Sequence, residues 1–272
     1  MLLLRTLLAL CALPLALVAQ FYYPDRVDYG SPADQGFVYQ DIYFKSSDGT
    51  KLHAWLVEGK GDKGTIIHFH GNAQNMSSHF RGISWLADQG FDLFLFDYRG
   101  YGRSGGKPTR EGVLEDCDAA IRKAVEVQQD EGHFIVYGQS LGAANALALL
   151  GEKKYDKVKG VIAEAAFYSY KSVAGDKVGG IANLLISDNK SPHLVVDKIA
   201  PVPVLFAHGT MDRVVLHKHS KALYEKAEEP KEFLSAIGAR HLNVFSSERT
   251  DNRKRLVETI ITWTKKAADG NG

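Results

Sequence analysis

The sequence predicts an α/β fold, a mostly parallel twisted sheet with helices on both faces. Three observations predict it. Short apolar runs such as GTIIHFH (64–70), FDLFLFD (91–97) and HFIVYG (133–138) have the length and continuity of strands covered on both sides. Stretches with a helical apolar stripe alternate with them, which is the rhythm of βαβ units. The length of 272 residues, 45% hydrophobic and 24% charged, suits one globular domain of this class, with no internal repeat or linker.

The chain opens with MLLLRTLLALCALPLALVAQFYYP. Arg5 precedes an unbroken apolar run from Leu7 to Ala19. That length fits the hydrophobic region of a signal peptide. Counted from Leu2, it could also cross a bilayer, with Phe21, Tyr22 and Tyr23 as an interfacial belt. Residues 1–22 are therefore read as a signal peptide or an N-terminal membrane anchor, cleavage left open, and residues 23–272 as the α/β domain. This makes the protein exported or membrane-anchored, with the domain outside the cytoplasm. Two cysteines, Cys11 and Cys117, give no disulfide framework. A formal net charge of +1, with basic runs interspersed with acids, excludes a nucleic-acid partner.

After the leader, VYQDIYFKS and KLHAWLVEG alternate and are joined by Ser47-Asp48-Gly49, an antiparallel hairpin. GTIIHFH is a strand, and a helix follows around Arg81 to Asp88. FDLFLFD is the next strand, followed by a helix over Arg110 to Gln128. HFIVYG runs directly into the helix SLGAANALALL. VKGVIAEA, PVPVLFAHG and KEFLSAIG are further strands, and a last helix covers Asn252 to Lys266. Phe167 to Ile199 interrupts the alternation with Gly175, Gly179, Gly180 and Pro192 among apolar patches, and is read as a lid.

Gly138-Gln139-Ser140-Leu141-Gly142 matches G-x-S-x-G between a strand and a helix, the context that gives the motif meaning. Glycines two residues either side let the turn close tightly and project Ser140 at a helix N-terminus, where developing negative charge is favoured. A serine hydroxyl needs a base, and His241 lies in a loop after the last strand. An acid must hold the imidazole, and Asp212 lies just past the end of PVPVLFAHG. All three fall at carboxyl ends of strands, in the order Ser…Asp…His. Glu164, at the end of VIAE, is the substitute acid, though it is read first as a strand-end carboxylate without a catalytic role. The backbone N–H groups of Leu141 and of Asn72, with Ala73 next in line, are the candidate oxyanion donors.

On His70-Gly71-Asn72-Ala73, Asp97-Tyr98-Arg99-Gly100-Tyr101-Gly102-Arg103-Ser104, the Ser140 motif, His208-Gly209-Thr210-Met211-Asp212 and His241, the chain resembles an α/β-hydrolase. Within that superfamily it is similar to the membrane-tethered serine hydrolases that include Bem46-like proteins and depalmitoylating hydrolases. The resemblance runs from about residue 20 to the C-terminus and implies the α/β-hydrolase fold with a Ser140–His241–Asp212 triad. In one place the chain departs from it: the family usually has Asn and then an acid after the histidine, and here Leu242 and Asn243 follow.

Gly100-x-Gly102-x-x-Gly105 has the spacing of a dinucleotide loop, but Lys107-Pro108-Thr109 intervenes before the helix, and Glu115, Asp116 and Asp118 lie within it. These glycines are read as the loop that α/β-hydrolases carry after this strand, tied down by Arg99. His68-x-His70 is read as a buried pair with polar partners, and His217-x-His219 as a solvated pair on a surface helix, neither as a metal site. No cofactor is required. The expected function is a serine hydrolase acting on a small-molecule or lipid ester or thioester through an acyl-enzyme, including acyl-lipid, lysophospholipid and S-acylated substrates. A peptidase on the same fold and a non-catalytic binding protein are the alternatives.

Overall fold

The computed structural model describes residues 21–128, 133–180 and 186–268. The predicted leader, apart from Phe21 and Tyr22, lies outside the described residues, as does Cys11.

Eight strands form the main sheet in the order β10-β9-β8-β7-β4-β6-β3-β2. The first two, β2 (Tyr39–Lys45) and β3 (Lys51–Val57), are the expected hairpin, and β3 also runs antiparallel to β6. Its turn closes through the Gly49 N–H on the Ser46 carbonyl at 2.9 Å. The other strands are β4 (Thr65–Phe69), β6 (Asp92–Asp97), β7 (Phe134–Gln139), β8 (Val158–Glu164), β9 (Val204–Gly209) and β10 (Lys231–Ala236), all paired in parallel. A separate two-residue pairing joins β1 (Tyr23–Pro24) to β5 (Ala73–Gln74).

Strand alternation explains the two-sided burial. Phe94 and Phe96 of β6 enter one core with Phe134 and Val136 of β7. Leu93 and Leu95 enter the other with Ile135 and Tyr137. The first core is closed by helices α3 (Arg110–Val127), α4 (Leu141–Glu152) and α6 (Lys218–Lys226), through side chains such as Cys117, Ile121, Leu147 and Leu223. The second is closed by α1 (Met76–Ile83), α2 (Trp85–Asp88) and α7 (Thr250–Ala268), through Phe80, Leu86, Leu256 and Ile260.

The first covering helix starts earlier than the apolar pattern implied. Asn75 caps it by accepting the Ser77 N–H at 3.0 Å, so the boundary is set by a side-chain cap at 75.

Strand β4 is flanked by β6 on one side and β7 on the other, so the chain reverses direction across the sheet there. Segments leaving β4 and β7 diverge at their carboxyl ends and open a crevice. Of the predicted lid, α5 (Tyr170–Val178) lies near this crevice, whereas Pro192–Leu194 and Val196–Lys198 pack on α4, with Val196 and Ile199 in the core beneath. That accounts for the nearly all-round apolar character of α4: it is covered on every side.

Candidate active site

The turn from β7 into α4 is as tight as its glycines imply. A Cβ at Gly138 would stand 2.5 Å from the Ala143 Cα, and one at Gly142 would stand 1.9 Å from the Phe69 carbonyl oxygen. Ser140 between them takes φ 54° and ψ −110°, a conformation L-residues avoid, held by its N–H on the Glu164 carbonyl at 2.8 Å. Leu141 is the first residue of α4, so its N–H has no partner within the helix.

His241 Nδ1 lies 2.6 Å from Asp212 Oδ2. Asp212 follows β9, and its side chain is fully buried. Its other oxygen accepts the backbone N–H groups of Val214 and Val215 at 2.8 and 3.0 Å. Burial pushes this carboxyl up, but hydrogen bonds from His208 and His241 and the His241 charge outweigh it and hold Asp212 well below the usual carboxylate range. His208 has no role in the sequence reading. Its Nε2 lies 3.2 Å from Asp212 Oδ2 and 2.9 Å from the Val215 carbonyl, two acceptors that place the proton on that nitrogen. The i, i+4 spacing of His208 and Asp212 across the end of β9 was the available signal.

Ser140 and His241 line one cavity of about 410 Å³, with Asn72, Ala73, Leu141, Leu242 and His79 around them. Its walls are apolar: Phe21, Phe167, Val173, Ala174, Val178, Val214 and Val215. Lys177 is the only Lys, Arg, Asp or Glu among the described lining residues. Phe21 and Tyr23, read from the sequence as part of an interfacial belt, form part of this wall. A larger cavity of about 1080 Å³ opens at the opposite end of the sheet, around Pro201, Pro230 and Trp263, and no predicted site residue lines it.

Asn72 is fastened by its side chain, whose Oδ1 accepts from the Tyr23 N–H and the Tyr101 hydroxyl, each at 3.0 Å. His79 Nε2 lies 3.0 Å from the Ala73 carbonyl and steadies the same loop from below.

Glu164 is not beside His241. It is 1% exposed, accepting from the Tyr137 hydroxyl at 2.6 Å, Gln139 Nε2 at 2.9 Å and the Val244 N–H at 3.2 Å. His68 and His70 are buried, as expected: His68 Nε2 lies 3.1 Å from Gln139 Oε1, and His70 Nδ1 lies 2.7 Å from the Gly71 carbonyl. Burial first, then the neighbouring His79, pushes His68 down to about 3.

The solvated reading of His219 is overturned. It is 2% exposed, and its Nε2 pairs with Asp176 of α5 at 2.6 Å because α6 packs that face inward. His217 is half-buried, against Ser235 Oγ at 2.9 Å. Gly102 has φ +47°, and a Cβ there would stand 2.0 Å from Asp97 Oδ2, while Arg99 grips both oxygens of Asp116. These glycines shape a loop anchored to α3. Among the described residues no group of three or more His, Cys, Asp or Glu side chains could hold a metal ion.

With this geometry in place, the chain belongs to the α/β-hydrolase superfamily, in its Bem46-like group. A family model described as serine aminopeptidase, S33, matches residues 60–188. Protein YfhR of Escherichia coli is 35% identical over 250 residues, spanning 89% of this chain and 86% of that one. Protein bem46 of Schizosaccharomyces pombe is 30% identical over 208 residues, 71% of this chain and 69% of that one. An esterase of Pyrococcus furiosus shares the fold with a TM-score of 0.74 at 23% identity, covering 90% of this chain and 98% of that one.

Proposed function

We propose that this protein is a serine hydrolase that cleaves carboxylic esters or thioesters through an acyl-enzyme. The observation that carries the reading is the 2.6 Å contact of His241 with Asp212, at the mouth of the cavity that Ser140 also lines. In this reading Ser140 attacks the carbonyl carbon, and His241 takes the hydroxyl proton and returns it to the leaving group. Asp212 keeps the Nδ1 proton in place, which leaves Nε2 free to act as base. The Leu141 and Asn72 N–H groups receive the oxyanion. Water then repeats the sequence on the acyl-enzyme and frees Ser140. No cofactor enters these steps. Helix α5 serves as the lid, through Val173, Ala174 and Val178.

The wall chemistry favours an acyl group over a peptide. An aminopeptidase must hold a free ammonium, yet no carboxylate is among the described lining residues, and the charge present is Lys177. Apolar walls next to the leader favour an acyl-lipid or S-acyl substrate at or near a membrane. A Saccharomyces cerevisiae relative, 28% identical over 221 residues, is named a membrane protein, which supports the reading of an exported or membrane-anchored enzyme.

A fluorophosphonate probe tests the nucleophile. Labelling that Ser140→Ala abolishes is expected, and failure of folded wild-type protein to label would instead support a non-catalytic binding protein. A panel of p-nitrophenyl esters of rising chain length, run beside a thioester and an aminoacyl anilide, tests the substrate class. Preference for the anilide would return the peptidase reading.

A further inference from the structure

We propose that the mouth of the Ser140 cavity is a membrane-docking face, seated on the lipid surface by the apolar segment that precedes it, so that substrate enters from the bilayer. Docking rests on residues 7–19 entering lipid; only the entry route rests on the proposed reaction.

The apolar run ends at Ala19, and Phe21 and Tyr23 already line the cavity. Two residues of chain span at most about 7 Å. The junction is also fastened. Tyr23–Pro24 pairs with Ala73–Gln74, and the Phe21 ring meets Tyr170 of α5 edge-on at 5.0 Å. The Arg110 guanidinium lies 5.1 Å from the Phe21 ring and 3.8 Å from the Tyr170 ring, clasping the junction and the lid together. From Phe21 onward the described chain is held against the domain at the cavity mouth.

The described residues include ten exposed large hydrophobic side chains. Tyr23, Val178 and Val214, at 51%, 44% and 49% exposure, line this cavity, and Met211 and Leu216, at 52% and 38%, lie in the same loop as Val214. Three of the set thus line one mouth and two more lie in the loop that brings Val214 to it, alongside exposed Arg213 and Lys177, while the one carboxylate of that loop, Asp212, is buried. Apolar side chains with cations between them suit the boundary of acyl chains and anionic headgroups. At the opposite end of the sheet, the large cavity carries Lys154, Lys159, Glu229 and Glu258 around its apolar lining, a mixed-charge face unsuited to lipid.

The test uses the full chain reconstituted into phosphatidylcholine vesicles containing phosphatidylglycerol. Single cysteines, Met211→Cys, Leu216→Cys and Asp156→Cys, are introduced in a Cys11→Ser background, Cys117 being buried. Each is labelled with an environment-sensitive fluorophore. Probes at 211 and 216 should brighten at least two-fold on vesicles and be quenched by lipids with spin-labelled acyl chains, and the probe at 156 should do neither. Probes at 211 and 216 that stay unquenched on protein that floats with the vesicles overturn the proposal, as does protein that does not float. The Met211→Asp/Leu216→Asp variant tests the entry route. It should hydrolyse a vesicle-embedded ester about ten-fold more slowly while keeping wild-type turnover of a short soluble ester. An equal fall on both overturns the route. Wild-type protein inactive on every ester would overturn the proposed reaction and leave the fluorescence result on docking to stand by itself.

Discussion

Glu164 Oε1 accepts the Val244 N–H at 3.2 Å, so one buried carboxyl group joins the end of β8 to the loop that carries His241. The main-chain carbonyl of the same residue accepts the Ser140 N–H at 2.8 Å. Glu164 therefore holds the proposed nucleophile through its backbone and the proposed base through its side chain, without touching either reacting group. Its partners Tyr137 and Gln139 are buried as well.

Glu164→Ala should accordingly cost about 2–4 kcal/mol, because it leaves three donors unsatisfied in the interior. Glu164→Gln should cost less, since one oxygen is retained. Turnover by Glu164→Gln should stay within about ten-fold of wild type if the residue positions the loop. Urea unfolding beside ester kinetics measures both. A loss as deep as that of an Asp212 variant would make Glu164 the working acid after all.

Asp212→Asn should lower kcat by about 10⁴-fold, with the fold intact. The reason is directional. Oδ1 is committed to two backbone N–H groups, so an amide there turns its NH₂ toward His241 Nδ1 and forces the proton onto Nε2. The variant should also lose a pH effect on stability. A carboxyl held below its ordinary value contributes stability that is present above about pH 4 and lost as pH falls through the folded value. Wild type and variant should therefore converge in strong acid, as denaturant midpoints at several pH values would show.

How far the sequence reached can be traced through the same residues. The convergence of Ser140 and His241 on one cavity, with Asp212 against His241, could be anticipated because each follows the carboxyl end of a strand, where a local pattern of apolar run, glycine and polar residue is itself the signal. His208 was missed because its partner is chosen by the turn after β9, which brings i and i+4 together. The buried state of His219 was missed because Asp176 comes from an element 43 residues earlier. Phe21 was placed with the leader, and Tyr23 read beside it as a belt residue, since nothing local shows that β1, which begins at Tyr23, pairs with β5. Position 242 is a partial case. Leu242 adopts φ 55°, a conformation that Asn takes more readily, which gives a physical reason for the asparagine usual there. In this chain the strain coincides with a leucine that lines the cavity.

Asp97 should make the protein less stable as pH rises from about 4 to about 7. Burial pushes its carboxyl up to about 7, against the lowering effect of N–H groups from Met76 and Arg103. The folded state then binds the proton more tightly than the unfolded chain, so stability is greatest in acid and declines until the folded value is passed. The whole effect is of order 4 kcal/mol. Asp97→Asn should flatten that slope, whatever constant offset the amide introduces, and chemical denaturation at pH 5 and pH 8 reads it directly.

Two glycines should respond oppositely to the same substitution. Gly142 is the extreme case of close approach. An added Cβ would stand 1.9 Å from the Phe69 carbonyl oxygen and 2.6 Å from that of His70, so α4 would have to lift off β4. Both contacts are backbone and cannot swing aside. Gly142→Ala should therefore lose more than about 4 kcal/mol, or fail to accumulate as soluble protein, and any that folds should label poorly with a fluorophosphonate because Ser140 has moved. Gly175 lies within α5 with nothing inside 4 Å of an added Cβ, and its φ is not in the left-handed region. Gly175→Ala should stabilise that helix by about 0.5–1 kcal/mol through backbone entropy alone. If α5 must move to admit substrate, the same substitution should slow turnover of long-chain esters while leaving a short ester unaffected. Equal rates on both chain lengths, with the stability gain intact, would show that this helix is a fixed wall.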